Sequence, residues 1–318
     1  MDTGDQAGIS GQGSQRIEIV CRDGVELGAY LWPAAGQHHG AVIINPATGV
    51  LASYYHRYAR FLASHGFDVL TYDYRGIGLS RPPSLRGCGY RWRDWGTLDF
   101  DAALAAMRQH DPLLPVAVVG HSIGGFLPGF AEGASSISRM LTVGAQYGYW
   151  GDYAKRQRRA LFRKWHLAMP ALTAALGYFP GRRLGWLEDL PAGVANEWSF
   201  RGARMECSYP ACEREAIIAR FDAVSAPILA IGASDDPIGT PAAIGRGLGY
   251  YRNADAKQVT IEPAELGRQA IGHFSLFHQR HASGFWLDTV LWLRDGVNPW
   301  PRQRAHIPPF EGHNFAFE

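Results

Sequence analysis

The 318 residues carry 31 lysines and arginines against 29 acids, a formal charge of +2, with 47% hydrophobic and 19% charged residues. That balance gives no global attraction for nucleic acid, and it is too apolar for a disordered chain. The length suits one α/β unit with room for an insertion.

The four cysteines, Cys21, Cys88, Cys207 and Cys212, form no Cys-x-x-Cys pair and match no histidine spacing. They read as reduced thiols, with no disulfide framework and no metal site. The first fourteen residues are rich in Gly, Ser and Asp, and lack the basic start and apolar stretch of a signal peptide. No apolar run reaches the roughly 18 residues of a membrane span. The expectation is a cytoplasmic protein with no stable membrane insertion.

Along the chain, Arg16–Val20 and Val25–Trp32 read as a hairpin turned at Asp23-Gly24. Gly40–Asn45 is a short apolar strand ending at Pro46, and a helix pattern runs from Ser53 to Ser64. Phe67–Tyr72 is the next strand, Leu98–Gln109 the next helix. Pro115–Val119 is an unalternating apolar strand, as a parallel strand covered on both faces would be. Ile123–Ala131 reads as a helix and Met140–Val143 as a strand. After a long break come a strand at Pro227–Ile231, a helix at Pro241–Gly247, the last strand at Gln258–Ile261 and the last helix at Ser283–Arg294. Such alternation predicts an α/β fold, a mostly parallel central sheet with helices on both faces. The boundaries expected are a flexible 1–15, a core of 16–144 and 221–298, a helical insertion over 145–220, and a surface tail over 299–318.

Gly120-His121-Ser122-Ile123-Gly124 follows an apolar strand and precedes a helix pattern. Small flanks allow the sharp turn that lifts a serine oxygen to the carboxyl edge of a sheet, making Ser122 the candidate nucleophile. A serine needs a base, and Gly272-His273-Phe274 lies in a loop after the last strand, at the same edge. His273 is therefore the candidate base, with His278 behind it; His121, inside the turn, should point elsewhere. The orienting acid belongs after the strand Pro227–Ile231, where Asp235 and Asp236 compete. Asp236 is preferred, leaving Asp235 to cap the loop or the next helix. The backbone N–H of Ile123 and that of Ala47 or Thr48 would form the oxyanion hole, since Pro46 has no N–H. The segment from Asp73 to Ser80 reads as scaffold. Lys155–Arg159, with Arg163 and Lys164, forms a basic cluster: a solvated face or a seat for an anionic tail.

Asp73-Tyr74-Arg75-Gly76-x-Gly78-x-Ser80, the Gly120–Gly124 pentapeptide, Asp235-Asp236-Pro237 and Gly272-His273-Phe274, in that order, resemble the α/β-hydrolase superfamily from about Arg16 to Arg294. Asn45–Gly49 and Gly185–Val194 resemble a branch of bacterial predicted hydrolases related to serine aminopeptidase and monoglyceride-lipase-like enzymes. The resemblance implies the α/β-hydrolase fold and a cap between the sixth and seventh strands, covering about Ala145 to Arg220. The expected activity is cleavage of a carboxylic ester or thioester through a Ser-His-Asp triad and an acyl-enzyme. The substrate would be a small apolar acyl compound, with no cofactor, metal or nucleic acid. The competing readings are acyl transfer by the same triad, an aminopeptidase-like site with Glu188, Asp189 or Glu197 holding an amine, and a hydrolase fold that only binds.

Overall fold

The structure, a computed structural model, describes residues 13–301. The expected tail over 299–318 and the flexible start lie almost wholly outside the described residues. In chain order the elements are β1 (Gln15–Val20), β2 (Glu26–Trp32), β3 (Gly40–Asn45), α1 (His56–Ala63), β4 (Phe67–Tyr72), α2 (Asp101–His110), β5 (Val116–His121) and β6 (Ile137–Val143). A long insertion holds α3 (Arg158–Phe162), α4 (Met169–Leu176), β7 (Tyr178–Phe179), α5 (Gly181–Leu184), β8 (Leu190–Pro191), α6 (Ala192–Ser199) and α7 (Ala211–Asp222). Then follow β9 (Ile228–Ala233), α8 (Pro241–Leu248), β10 (Ala256–Ile261) and α9 (Phe285–Asp295).

Eight strands form one sheet in the order β1-β2-β4-β3-β5-β6-β9-β10. Only the pairings of β2, with β1 and with β4, are antiparallel. The central parallel strands β3, β4, β5 and β9 are buried throughout. Along β3, Val42 and Ile44 join the core cluster with α1 and α9, and Ile43 joins the cluster with α2. That double burial explains their unbroken apolar runs. Matched registers bring the strand ends level: Asn45 opposite Gly120, His121 opposite Val143, Val143 opposite Ile231, Ala233 opposite Ile261. Loops leaving these ends share one edge, where ligands bind in open α/β sheets.

The scaffold reading of the Asp73–Ser80 segment agrees with its contacts. Asp73 accepts from the Ala52 and Leu79 N–H groups at 2.7 and 2.9 Å. The buried Arg75 guanidinium lies 2.5 Å from Asp99 and 2.7 Å from Asp23.

Two expectations change. The helix expected over Ile123–Ala131 is instead a pair of short 3-10 turns, Ser122–Gly125 and Leu127–Phe130. Gly124, Gly125 and Gly129 are weak helix formers, and Pro128 lacks the N–H a helix interior needs. The glycines let this segment pack against Asn45, Thr142 and Phe221, where any β-carbon would collide. The insertion, read as helical, also contains the short antiparallel ladder of β7 and β8. Among the described residues no helix is long and apolar enough to cross a membrane.

Candidate active site

Ser122 stands immediately after β5 with φ at 54°, the only non-glycine residue with positive φ among those described. An L-residue is strained there, and strain of this kind persists only where the surroundings enforce it. Glycines supply the enforcement. A β-carbon on Gly120 would strike Gly125, and one on Gly124 would strike the backbone of Asn45.

His273 follows β10 and Asp236 follows β9. Their side chains meet at 2.6 Å, His273 Nδ1 to Asp236 Oδ2. A carboxylate only accepts, so Nδ1 carries the proton and Nε2 is left with its lone pair free to accept one. Asp236 Oδ1 accepts from the N–H groups of Ile238 and Gly239, both at 2.8 Å. Burial pushes the Asp236 carboxyl up, but His273 and these two donors outweigh it and leave it below the usual range. The pair fits against two glycines. A β-carbon on Gly239 would come 2.6 Å from Asp236 Oδ2, and one on Gly144 would come 3.1 Å from both Asp236 and His273.

Asp235 turns away and accepts from the Ile271 and Gly272 N–H groups at 2.8 and 2.9 Å. It holds the loop that presents His273, while Thr240 caps α8. His278 lies on the cleft wall beside Tyr54, apart from the acid pair.

His121, buried, points away from Ser122 as expected. Its Nε2 donates to the His273 carbonyl at 2.8 Å, so its Nδ1 accepts the Tyr55 hydroxyl proton at 2.7 Å. Burial, then the charge of His273, pushes its pKa down to about 3. Tyr55 in turn accepts the Ala47 N–H at 3.0 Å. Of the two candidate donors on this loop, Ala47 is thus bonded to Tyr55. Thr48 N–H and Ile123 N–H carry no hydrogen bond among the described residues, and both residues line the cleft with Ser122. Ile123 is the second residue of a 3-10 turn, where an N–H has no partner within the turn.

Gln146, absent from the sequence reading, donates from Nε2 to Ser122 Oγ at 3.1 Å. It sits three residues past β6 at the same sheet edge, and that position is the one signal that could have marked it. Ser122 and His273 share a cleft of about 2030 Å³ with Trp165, Trp186 and Trp198 of the insertion.

A family profile described as serine aminopeptidase, S33, matches residues 36–265. No curated protein matches the chain. Among solved structures, a monoglyceride lipase from Saccharomyces cerevisiae in complex with a substrate analogue is similar at 15% identity and TM-score 0.64, over 91% of this chain and 96% of that one. A monoacylglycerol lipase from Paleococcus ferrophilus is similar at 13% identity and TM-score 0.54, over 85% and 99%. An esterase from Pyrococcus furiosus is similar at 15% identity and TM-score 0.51, over 87% and 90%. Identities this low carry the fold and leave the substrate to the site itself.

Proposed function

Since the chain belongs to the serine aminopeptidase S33 family of α/β-hydrolases, we infer that it hydrolyses a carboxylic ester or thioester through an acyl-enzyme. The carrying observation is the strained Ser122 at a strand end, in one cleft with a histidine whose far nitrogen is held by a buried carboxylate. Ser122 Oγ attacks the carbonyl carbon while His273 Nε2 takes its proton. Asp236 keeps the imidazole in the required tautomer and balances its charge. The N–H groups of Ile123 and Thr48 receive the developing oxyanion. His273 returns the proton to the departing alcohol or thiol, then takes one from water, whose oxygen attacks the acyl carbon. Collapse of that second intermediate frees the acid and restores Ser122. Residues 145–220 act as the cap, and their tryptophans suit an apolar acyl chain.

An aminopeptidase needs a free carboxylate for the substrate amine. Glu188, the one acid on the cleft wall among the described residues, lies 3.7 Å from Arg182. Asp189 pairs with Arg81 at 3.0 Å, and Glu197 accepts from the Arg93 N–H at 3.1 Å. These engagements favour an ester over a peptide.

A fluorophosphonate probe should label the wild-type protein and not Ser122→Ala, and p-nitrophenyl ester turnover should vanish in the same variant. A wild-type protein that neither labels nor turns over would sink the reading.

A further inference from the structure

The basic cluster seen in the sequence divides in the structure. Arg163 is exposed, whereas Lys164 is half-buried and lines the cleft. The two begin a π-helical turn, Arg163–Ala168, set between α3 and α4. Such single turns interrupt helices often at functional positions, because the extra residue re-aims the side chains beside it.

Lys164 Nζ sits 4.4 Å from the ring centroid of Trp165 and 4.4 Å from that of Trp186. Two indole faces attract an ammonium but do not neutralise it. Among the described residues no carboxylate pairs with Lys164, and burial alone pulls its pKa down. Its charge is held in place and left uncompensated. From there an aromatic path leads back to the nucleophile. Trp165 stacks on Trp198 at 4.6 Å and 23°. Trp198 lies so near Gly148 that a β-carbon there would come within 2.8 Å of its ring. Gly148 is two residues beyond Gln146, which holds Ser122 Oγ.

The charges around the cleft are mostly positive among the described residues. Its lining holds Arg16, Arg57, Lys164, Arg182 and Arg280 against Glu188 alone. The four arginines are exposed, so Lys164 is the one cation of the lining that is half-buried. Such an arrangement steers an anion inward and offers it one ammonium at the end.

Resting on the ester-hydrolase reading, we propose that the preferred substrates carry a carboxylate remote from the scissile bond, received by Lys164 on its indole seat. The hydrocarbon between ester and carboxylate lies along Trp198 and Trp165. A carboxylate fits better than a phosphate, because one ammonium balances a monoanion and leaves a phosphate dianion half compensated.

The test uses two matched pairs of compounds. In turnover, mono-p-nitrophenyl suberate is compared with its neutral ω-methyl ester. For wild type the carboxylate should raise kcat/KM about five- to tenfold, the range of a charge-assisted contact at a half-exposed site. That ratio should shrink between 0.05 and 0.5 M salt, fall to about one in Lys164→Met, and persist in Lys164→Arg. A wild-type ratio of one or less, or a ratio unchanged in Lys164→Met, overturns the proposal and leaves the hydrolase reading standing.

Binding without turnover separates the two readings. Tryptophan fluorescence of Ser122→Ala is titrated with monomethyl suberate and with dimethyl suberate. The carboxylate should bind at least about fivefold tighter, and the difference should disappear when Lys164→Met is added. If no ester is turned over by wild type, the hydrolase reading fails, and this titration still decides the seat: equal affinities overturn it.

Discussion

Gln146 Nε2 donates to Ser122 Oγ at 3.1 Å, occupying one lone pair of that hydroxyl. A donor fixed on one side leaves the O–H free to rotate to the other, so in the proposed mechanism Gln146 orients Ser122. Gln146→Ala should lower kcat/KM about three- to tenfold by releasing that rotamer. Gln146→Glu should lower it further, because a carboxylate facing the hydroxyl lone pairs repels the developing alkoxide. Steady-state kinetics on a p-nitrophenyl ester checks the order wild type, Ala, Glu. A Glu variant as active as wild type would remove Gln146 from the site.

Adjacent acids should behave differently when made neutral. Asp236→Asn breaks the 2.6 Å bond that sets the His273 tautomer, and kcat should fall about 10³- to 10⁴-fold with the fold intact. Asp235→Asn keeps a side-chain oxygen but weakens two backbone contacts behind the histidine loop. Its loss should be about tenfold or less, with a stability cost of about 1 kcal/mol. Kinetics paired with urea unfolding separates the two. Equal activity losses would mean that the sequence preference for Asp236 has no functional content.

A third expectation concerns the bond chain from Ala47 N–H through Tyr55 and His121 to the His273 carbonyl. It ties the loop after β3 to the loop that carries the base. Tyr55→Phe leaves two buried groups, Ala47 N–H and His121 Nδ1, without partners. We expect about 1–3 kcal/mol of lost stability, measured by urea unfolding, and a fall in kcat. A variant within about 0.5 kcal/mol of wild type would show that water replaces the hydroxyl.

The sheet was legible because β3, β5 and β9 are almost wholly apolar, and buried parallel strands leave that mark without help from distant residues. Ser122 and Asp236 were legible for a related reason, each lying just past such a strand, whereas His273 was marked by its place in the loop after the edge strand β10. The 3-10 turns that replace the expected helix over Ile123–Ala131 were not legible, because the close packing of their glycines against Asn45 and Phe221 is set by residues far along the chain. Gln146, Tyr55 and the indole seat of Lys164 were hidden too. Their roles depend on contacts across 24, 66 and 22 positions, respectively to Ser122, His121 and Trp186, which no local pattern encodes. The bond from the Ala47 N–H to Tyr55 belongs with them, since only the folded chain brings the two together.

Three buried imidazoles give stability a definite pH dependence. Burial, aided by Arg60, pushes the His56 pKa down to about 4. Burial and His273 bring His121 to about 3, and burial with Arg280 brings His281 to about 4. Each lies below the ordinary value of 6.5, so the unfolded chain binds protons that the native state refuses. Their stabilisation is complete above pH 6.5 and is lost as pH falls from there toward 4. Asp99 acts oppositely: burial outweighs Arg75 and raises it to about 6, so the native state takes up its proton first. Burial lowers the His166 pKa as well, and raises those of Asp73 and Glu197 alongside Asp99; over this window the imidazoles lose more than the carboxyls return, a net loss. Tm should drop by at least about 5 °C between pH 7 and pH 5. The drop should be smaller in His281→Asn, which removes one of the three groups and lies outside the cleft lining. Calorimetry at the two pH values decides the matter, and a Tm that holds or rises on acidification would mean that at least one of these histidines is protonated in the folded chain.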